Sequence, residues 1–209
     1  MKRTGHPRWK PMMFRPLRSL VSLALASALT VASARTGASA ADGVQDTTAP
    51  PAFVHQALSS ANLLGQGQMR FLGLRIYDAR LWAGPQFEAD NFGAHRLALE
   101  LTYHRAFTGA AIAQRSLEEM TRQGELTPEQ TQRWQQALSA VLPDVQPGVR
   151  LTGLYQPGQG MRLWRDNQAL GAIDDAELAR RFFGIWLSPS TSAPSLRSAL
   201  LARLLESRS

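Results

Sequence analysis

Val149–Ile173 reads VRLTGLYQPGQGMRLWRDNQALGAI, and its punctuation decides the fold. VRLTGLYQ (149–156), GMRLWR (160–165) and QALGAI (168–173) carry strand-type residues. Pro157-Gly158-Gln159 separates the first two, and Asp166-Asn167 separates the last two. Such gaps have hairpin length and hairpin chemistry. Parallel strands need a crossover of a dozen residues or more, so these three predict an antiparallel meander.

The elements on either side are helical. After the meander, a helix opens at Asp174 with Glu177 three residues on and turns Leu178, Phe182, Ile185 and Trp186 to a core. Asp174-Asp175 reads as its cap. A fourth helix follows Pro194, with Leu196, Leu200 and Leu204 on one stripe. Before the meander lie two helices, over 109–123 and 127–142. Thr108 caps the first, Gly124 ends it, and its stripe is Ile112, Ala113, Leu117 and Met120. Thr127-Pro128-Glu129-Gln130 gives the second an N-cap, a proline at the first helical position and a capping-box glutamine. Its stripe is Trp134, Ala137, Leu138, Val141 and Leu142. Trp134 and Trp186 are expected in the core.

HRLALELTYH (95–104) alternates: Leu97, Leu99, Leu101 and Tyr103 share one face, Ala98, Glu100 and Thr102 the other. It is expected to pair with the meander. The order of strands, two helices, strands and two helices gives the α+β class: one antiparallel sheet with helices on one face, an open-faced sandwich.

Leu63–Trp82 also has strand character, interrupted by Gly65, Gly67 and Gly73. It carries Arg70, Arg75, Asp78 and Arg80 among its apolar residues. Read at a period of two, Arg75, Tyr77, Ala79 and Leu81 share a face, and Asp78 and Arg80 lie on the other. The bland reading of Asp78 and Arg80 is solvation at a sheet end. Arg70, Arg75 and Tyr77 allow a sharper one. Arginine offers a permanent charge and a forked donor set, and tyrosine adds a neutral donor, a combination suited to a carboxylate or phenolate.

The N-terminus sets the context. Basic residues from Lys2 to Arg18 precede an apolar run, Leu20–Ala32, and A-x-A patterns end at Ala34 and Ala40. That is the order of a secretory signal peptide, with cleavage expected between Ala34 and Ala40. The run, about thirteen residues, is short for a membrane span of about twenty. Export to a periplasm is therefore expected, with Ala41–Ala52 a flexible lead-in and 53–209 one domain.

The cut also changes the charge. The formal charge of +7 comes from 23 basic and 16 acidic residues. Residues 1–40 hold seven of the bases and none of the acids. Sixteen arginines then face sixteen acids, which removes the main argument for a nucleic-acid partner. The chain has no cysteine, so disulfides, thiol catalysis and thiolate metal sites are excluded.

Other chemistries find no support. Gly65-x-Gly67 has Arg70 where a dinucleotide fingerprint needs its third glycine. There is no G-x-S-x-G. His55, His95 and His104 lack metal-ligand spacing. No catalytic residue, metal or cofactor is expected.

GQGQMRFLGLRIYDARLW, LALELTYHRAFTGAAIAQRSLEEM, LPDVQPGVRLTGLYQPGQGMRLW and FFGIWLSPSTSAPSLRSALL, in that order, resemble the exported bacterial branch of the chalcone isomerase-like proteins. The resemblance runs from about Leu63 to Leu201. It implies a large antiparallel sheet covered on one face by helices, with an apolar cleft between the layers. It also implies one of two activities: cyclisation of a chalcone, or binding of a fatty acid whose carboxylate an arginine and a tyrosine hold. Arg70 and Tyr77 fall on the family arginine and tyrosine. Leu72 replaces the catalytic threonine of the plant enzymes, and Arg75 a glycine. Leucine cannot hydrogen-bond the water that polarises a ketone. The expected ligand-binding set is thus Arg70, Tyr77 and Arg75, for a fatty acid, phenolic acid or similar amphiphilic carboxylate. Two alternatives stand beside it: an intramolecular lyase or isomerase acting on an enone, and an interaction protein with a closed core.

Overall fold

The computed structural model describes residues 49–206, and the expected signal peptide and most of the expected lead-in lie outside them. The elements are helix α1 (Ala52–Ala57), strands β1 (Asn62–Phe71), β2 (Leu74–Ala83) and β3 (Leu97–Tyr103), and helices α2 (Gly109–Met120) and α3 (Pro128–Val141). Strands β4 (Arg150–Gln156), β5 (Gly160–Arg165) and β6 (Gln168–Ile173) follow, then helices α4 (Ala176–Leu187), α5 (Pro194–Leu200) and α6 (Ala202–Glu206). The six strands form one sheet in sequence order, every neighbour antiparallel. The expected meander and its pairing with the 95–104 strand are both present.

Local chemistry sets the element ends. The Thr108 hydroxyl accepts from the Ala111 N–H and starts α2. Thr127 and Gln130 make the reciprocal capping box at α3. Asp175, rather than Asp174, caps α4 by accepting from the Leu178 N–H at 2.9 Å. Its other oxygen takes the Trp134 indole N–H at 2.9 Å, tying α3 to the start of α4. A single turn of 3-10 helix follows α2, and Gly124 ends it at φ +132°.

The two faces of the sheet are filled differently. Toward α2–α5 point Leu81, Leu99, Gly153 and Leu163, which lie in register across β2–β5. Tyr155, Met161, Phe183, Leu178, Trp134 and Leu138 join them in the main core. Two glycines let helices come close. A Cβ on Gly65 would meet the backbone of Ala199 and Leu200 in α5, and one on Gly153 would meet the Phe183 ring. Trp134 and Trp186 are buried as expected.

The other face is not bare. Val54 and Leu58, from α1 and its C-terminal end, bury Trp82, Ala98 and Leu154, and Phe53 stacks on Trp164 with ring centroids 4.7 Å apart. The helix layer on one face is thus joined by a short helix on the other. Sequence periodicity cannot reveal this, because six residues carry too little pattern.

The Leu63–Trp82 segment is a hairpin, not one strand running to Trp82. The chain reverses at Leu72-Gly73, pairing Phe71 with Leu74, Arg70 with Arg75 and Met69 with Tyr77. Both turn residues have positive φ, +49° and +78°, as a two-residue hairpin turn requires. The sequence signal for this turn is weak, since leucine is an unusual first turn residue.

No helix among the described residues is long and apolar enough to cross a membrane.

Candidate functional site

The structure separates the three residues read as a binding set. Tyr77 lies on the helix side of β2, its ring edge-on to Tyr103 at 5.8 Å between centroids. Its hydroxyl accepts a hydrogen bond of 3.0 Å from the Trp186 indole N–H of α4. Arg70 and Arg75 sit near the hairpin tip, opposite each other and exposed. Arg70 donates to the Gly73 carbonyl at 3.4 Å. Arg75 pairs with Asp78 at 3.4 Å. Leu72, which the resemblance sets in the place of the plant threonine, is 83% exposed at the turn.

Asp78 and Arg80 are not idle at a sheet end. Asp78 accepts from Gln68 at 2.7 Å and lies 2.7 Å from His104 Nε2. Burial works to raise its pKa. The Gln68 and His104 hydrogen bonds, with the His104 and Arg75 charges, outweigh burial and hold it below the usual carboxylate range. Arg80 faces Glu100, which faces Thr152, in a row across β2, β3 and β4. Glu100 is buried, only 4% exposed. Its burial raises its pKa against the Arg150 and Arg80 charges and the Thr152 hydroxyl.

What surrounds Tyr77 is polar in a way the sequence reading missed. Glu119 of α2 is buried, and its Oε2 has no hydrogen-bond partner. Its other oxygen takes Arg115 Nη2 in a short contact, while Arg122 stands 4.0 Å from Oε2. Burial pushes the Tyr77 hydroxyl up to about 12. Trp186 and the Arg115 charge work against that shift, and the Glu119 charge adds to it. Tyr77 is therefore a neutral group at physiological pH, a hydrogen-bond partner and not a base. Tyr103 is raised further by burial and by its neighbour Tyr77. The site is thus Tyr77 and Tyr103 on the sheet, Trp186 over them, and an arginine–glutamate pair at the rim. A signal for it existed: Ser116 and Glu119 fall within the apolar stripe of α2, both buried.

The cleft expected between the layers is filled by side chains. Phe182 meets Trp186 and Phe183 edge-on, with centroids 5.5 and 5.7 Å apart. Two shallow, open depressions lie elsewhere on the surface. One of about 310 Å³ lies beside Phe87, His95 and Gln86. The other, about 230 Å³, lies on the far face beside Arg80, Trp82, Glu100 and Arg150. Among the described residues, no group of three or more potential ligands could hold a metal ion.

Comparison with known proteins supplies the rest. No curated protein matches the chain significantly. The crystal structure of a fatty-acid binding protein from Arabidopsis thaliana has the same fold, with a TM-score of 0.54. It is 13% identical, and the match covers 68% of this chain and 87% of the plant protein. The family model described as chalcone isomerase-like matches residues 83–202. That span is more than half of the chain and holds β3 to β6 with α2 to α5, and the protein belongs to the chalcone isomerase-like family.

Proposed function

We propose that the protein is an exported, non-catalytic binder of a fatty acid or similar amphiphilic carboxylate, acting in the periplasm. The carboxylate is received where Tyr77, Trp186, Arg115 and Glu119 meet. The observation that carries this reading is Glu119, a buried carboxylate beside a neutral tyrosine: one oxygen pairs with the rim Arg115, and the other has no hydrogen bond and lies 4.0 Å from Arg122. An internal acid occupies the place a ligand head group would take. On entry, the ligand carboxylate takes Arg115 from Glu119 and accepts the Tyr77 proton as a hydrogen bond. The acyl chain displaces side chains such as Phe182 from between the layers. The Arabidopsis protein of the same fold is a fatty-acid binding protein, which supports this choice of ligand. Catalysis finds no support because Arg70 and Leu72, which the resemblance sets at the family's arginine and threonine positions, lie at an exposed hairpin tip.

The test is titration of a fluorescent fatty acid against wild type and Arg115→Gln. The variant should bind about tenfold or more weakly, the scale of one charge-assisted hydrogen bond. Equal affinity would remove the head-group assignment. No binding by either would favour a second reading, an interaction protein with a closed core, which the filled space between sheet and helices supports.

A further inference from the structure

The β1–β2 hairpin tip contains two choices that work against the fold. Leucine at a positive-φ turn position is strained, because its Cβ crowds the backbone where asparagine or glycine is tolerated. Arg70 and Arg75 are direct cross-strand partners, and like charges placed so repel. Asp78, 3.4 Å from Arg75, offsets only part of that repulsion, and Arg70 donates to the Gly73 carbonyl. Leu72 is 83% and Leu74 47% exposed, and these two are the large apolar side chains that stand exposed among the described residues. Local conflicts of this kind concentrate at functional sites.

The tip also projects. Pairing of β2 with β3 begins at Tyr77–Tyr103, so residues 70–75 extend past the neighbouring strand. The result is a blunt end with two leucines at its apex and two arginines behind them.

We propose that this tip seats the protein on an anionic lipid bilayer. Leu72 and Leu74 enter the boundary between head groups and acyl chains, and Arg70 and Arg75 stay at the lipid phosphates. Charge decides the partner: a negative surface relieves the Arg70–Arg75 repulsion, and the guanidinium fork matches phosphate. Size agrees. Two leucines are too few for a specific protein interface, which buries on the order of 1,000 Å² or more, but suffice for shallow insertion aided by basic side chains. The attraction is local, since residues 41–209 carry no net charge. The proposal stands whether or not a lipid enters the interior. If one does, the tip lies on the strand that carries Tyr77, three residues from Leu74, and would bring that site to the membrane.

The experiment is co-sedimentation with vesicles of phosphatidylcholine alone and with about 30% phosphatidylglycerol. It uses a chain beginning at Ala41, which keeps all of the described residues, 49–206. Wild type should bind the anionic vesicles and bind phosphatidylcholine far less. Leu72→Asn creates the Asn-Gly pair that such a turn prefers. It should weaken vesicle binding about tenfold while leaving thermal stability equal or higher, which separates lost contact from lost fold. Arg70→Gln should reduce the preference for anionic lipid about fivefold. Wild type that ignores both vesicles, or Leu72→Asn that binds as wild type does, overturns the proposal. So does wild-type self-association through the tip, abolished by Leu72→Asn, which would make a second copy the partner.

Discussion

The two faces of one sheet follow different rules. On the helix side, Leu81, Leu99, Gly153 and Leu163 form a row in which every side chain is apolar or missing. One position over, the row on the far face reads Arg80, Glu100, Thr152 and Trp164. Yet Glu100 and Thr152 are as buried as many of the leucines. Burial on the helix side comes from a thick layer of amphipathic helices. On the far side it comes from α1, from Trp82 and Trp164, and from the residues just before α1, Ala49 to Pro51, which line the shallow depression over Glu100. Polar residues survive under the thin cover because they meet one another: the Thr152 hydroxyl donates to Glu100 at 3.5 Å. Under the thick cover, Tyr155, Ser116 and Thr191 are buried with internal hydrogen-bond partners.

The largest test of this contrast is mutation of one ring on each face. Phe183 is fully buried beneath α4, and Phe183→Ala should cost about 3–5 kcal/mol in urea unfolding. Phe53→Ala, which removes the stack on Trp164, should cost about 1 kcal/mol. Similar losses at both sites would mean that the two covers are energetically alike.

A second, intermediate effect lies in the alkaline range. Burial raises Tyr77 and Tyr103 in the folded protein. A raised tyrosine holds its proton longer when folded than when unfolded. Its stabilising share is complete below pH about 10 and lost as pH rises through the folded value, for Tyr77 about 12. Stability should therefore fall steeply above pH about 10, and Tyr77→Phe should make the fall shallower. A fall of unchanged steepness in the variant would place the Tyr77 hydroxyl in water.

The smallest effect belongs to the far face. Burial raises Glu100, so the folded state favours its neutral form. Its contribution is complete below the ordinary glutamate pKa and is lost as pH rises through the raised folded value. At pH 7 the carboxylate is thus a cost to the fold. Glu100→Gln should raise the melting temperature by about 1–3 °C at pH 7 and leave it unchanged near pH 4. Destabilisation at pH 7 would show that Arg80 and Arg150 need the Glu100 charge more than burial resists it.

Most of the architecture was legible because it rests on local rules. Hairpin spacing at Pro157-Gly158-Gln159 and Asp166-Asn167 fixed the meander. Thr108, Thr127 and Gln130 fixed helix starts through hydrogen bonds to residues three positions away. The alternation of 97–103 fixed which side of β3 meets the helices, because the strand period admits only two answers. Tyr77 was also placed correctly toward the helices, by parity with Ala79 and Leu81.

Tertiary structure decided the rest. Arg70 and Tyr77 look like a pair in sequence, but a reversal at Leu72-Gly73 carries Arg70 onto another strand, to the exposed tip, and leaves Tyr77 inside. No local rule announces that reversal, since leucine there is a strained choice. The partner that Tyr77 does have, Trp186, is 109 residues away. Glu119 falls on the apolar stripe of α2 by spacing, but its pairing with Arg115 beneath the core face appears only once that face packs. Composition, periodicity and capping act over a few residues and determine elements and faces. Which side chains meet is settled only when the layers close, because burial, ionisation and pairing depend on neighbours distant in the chain.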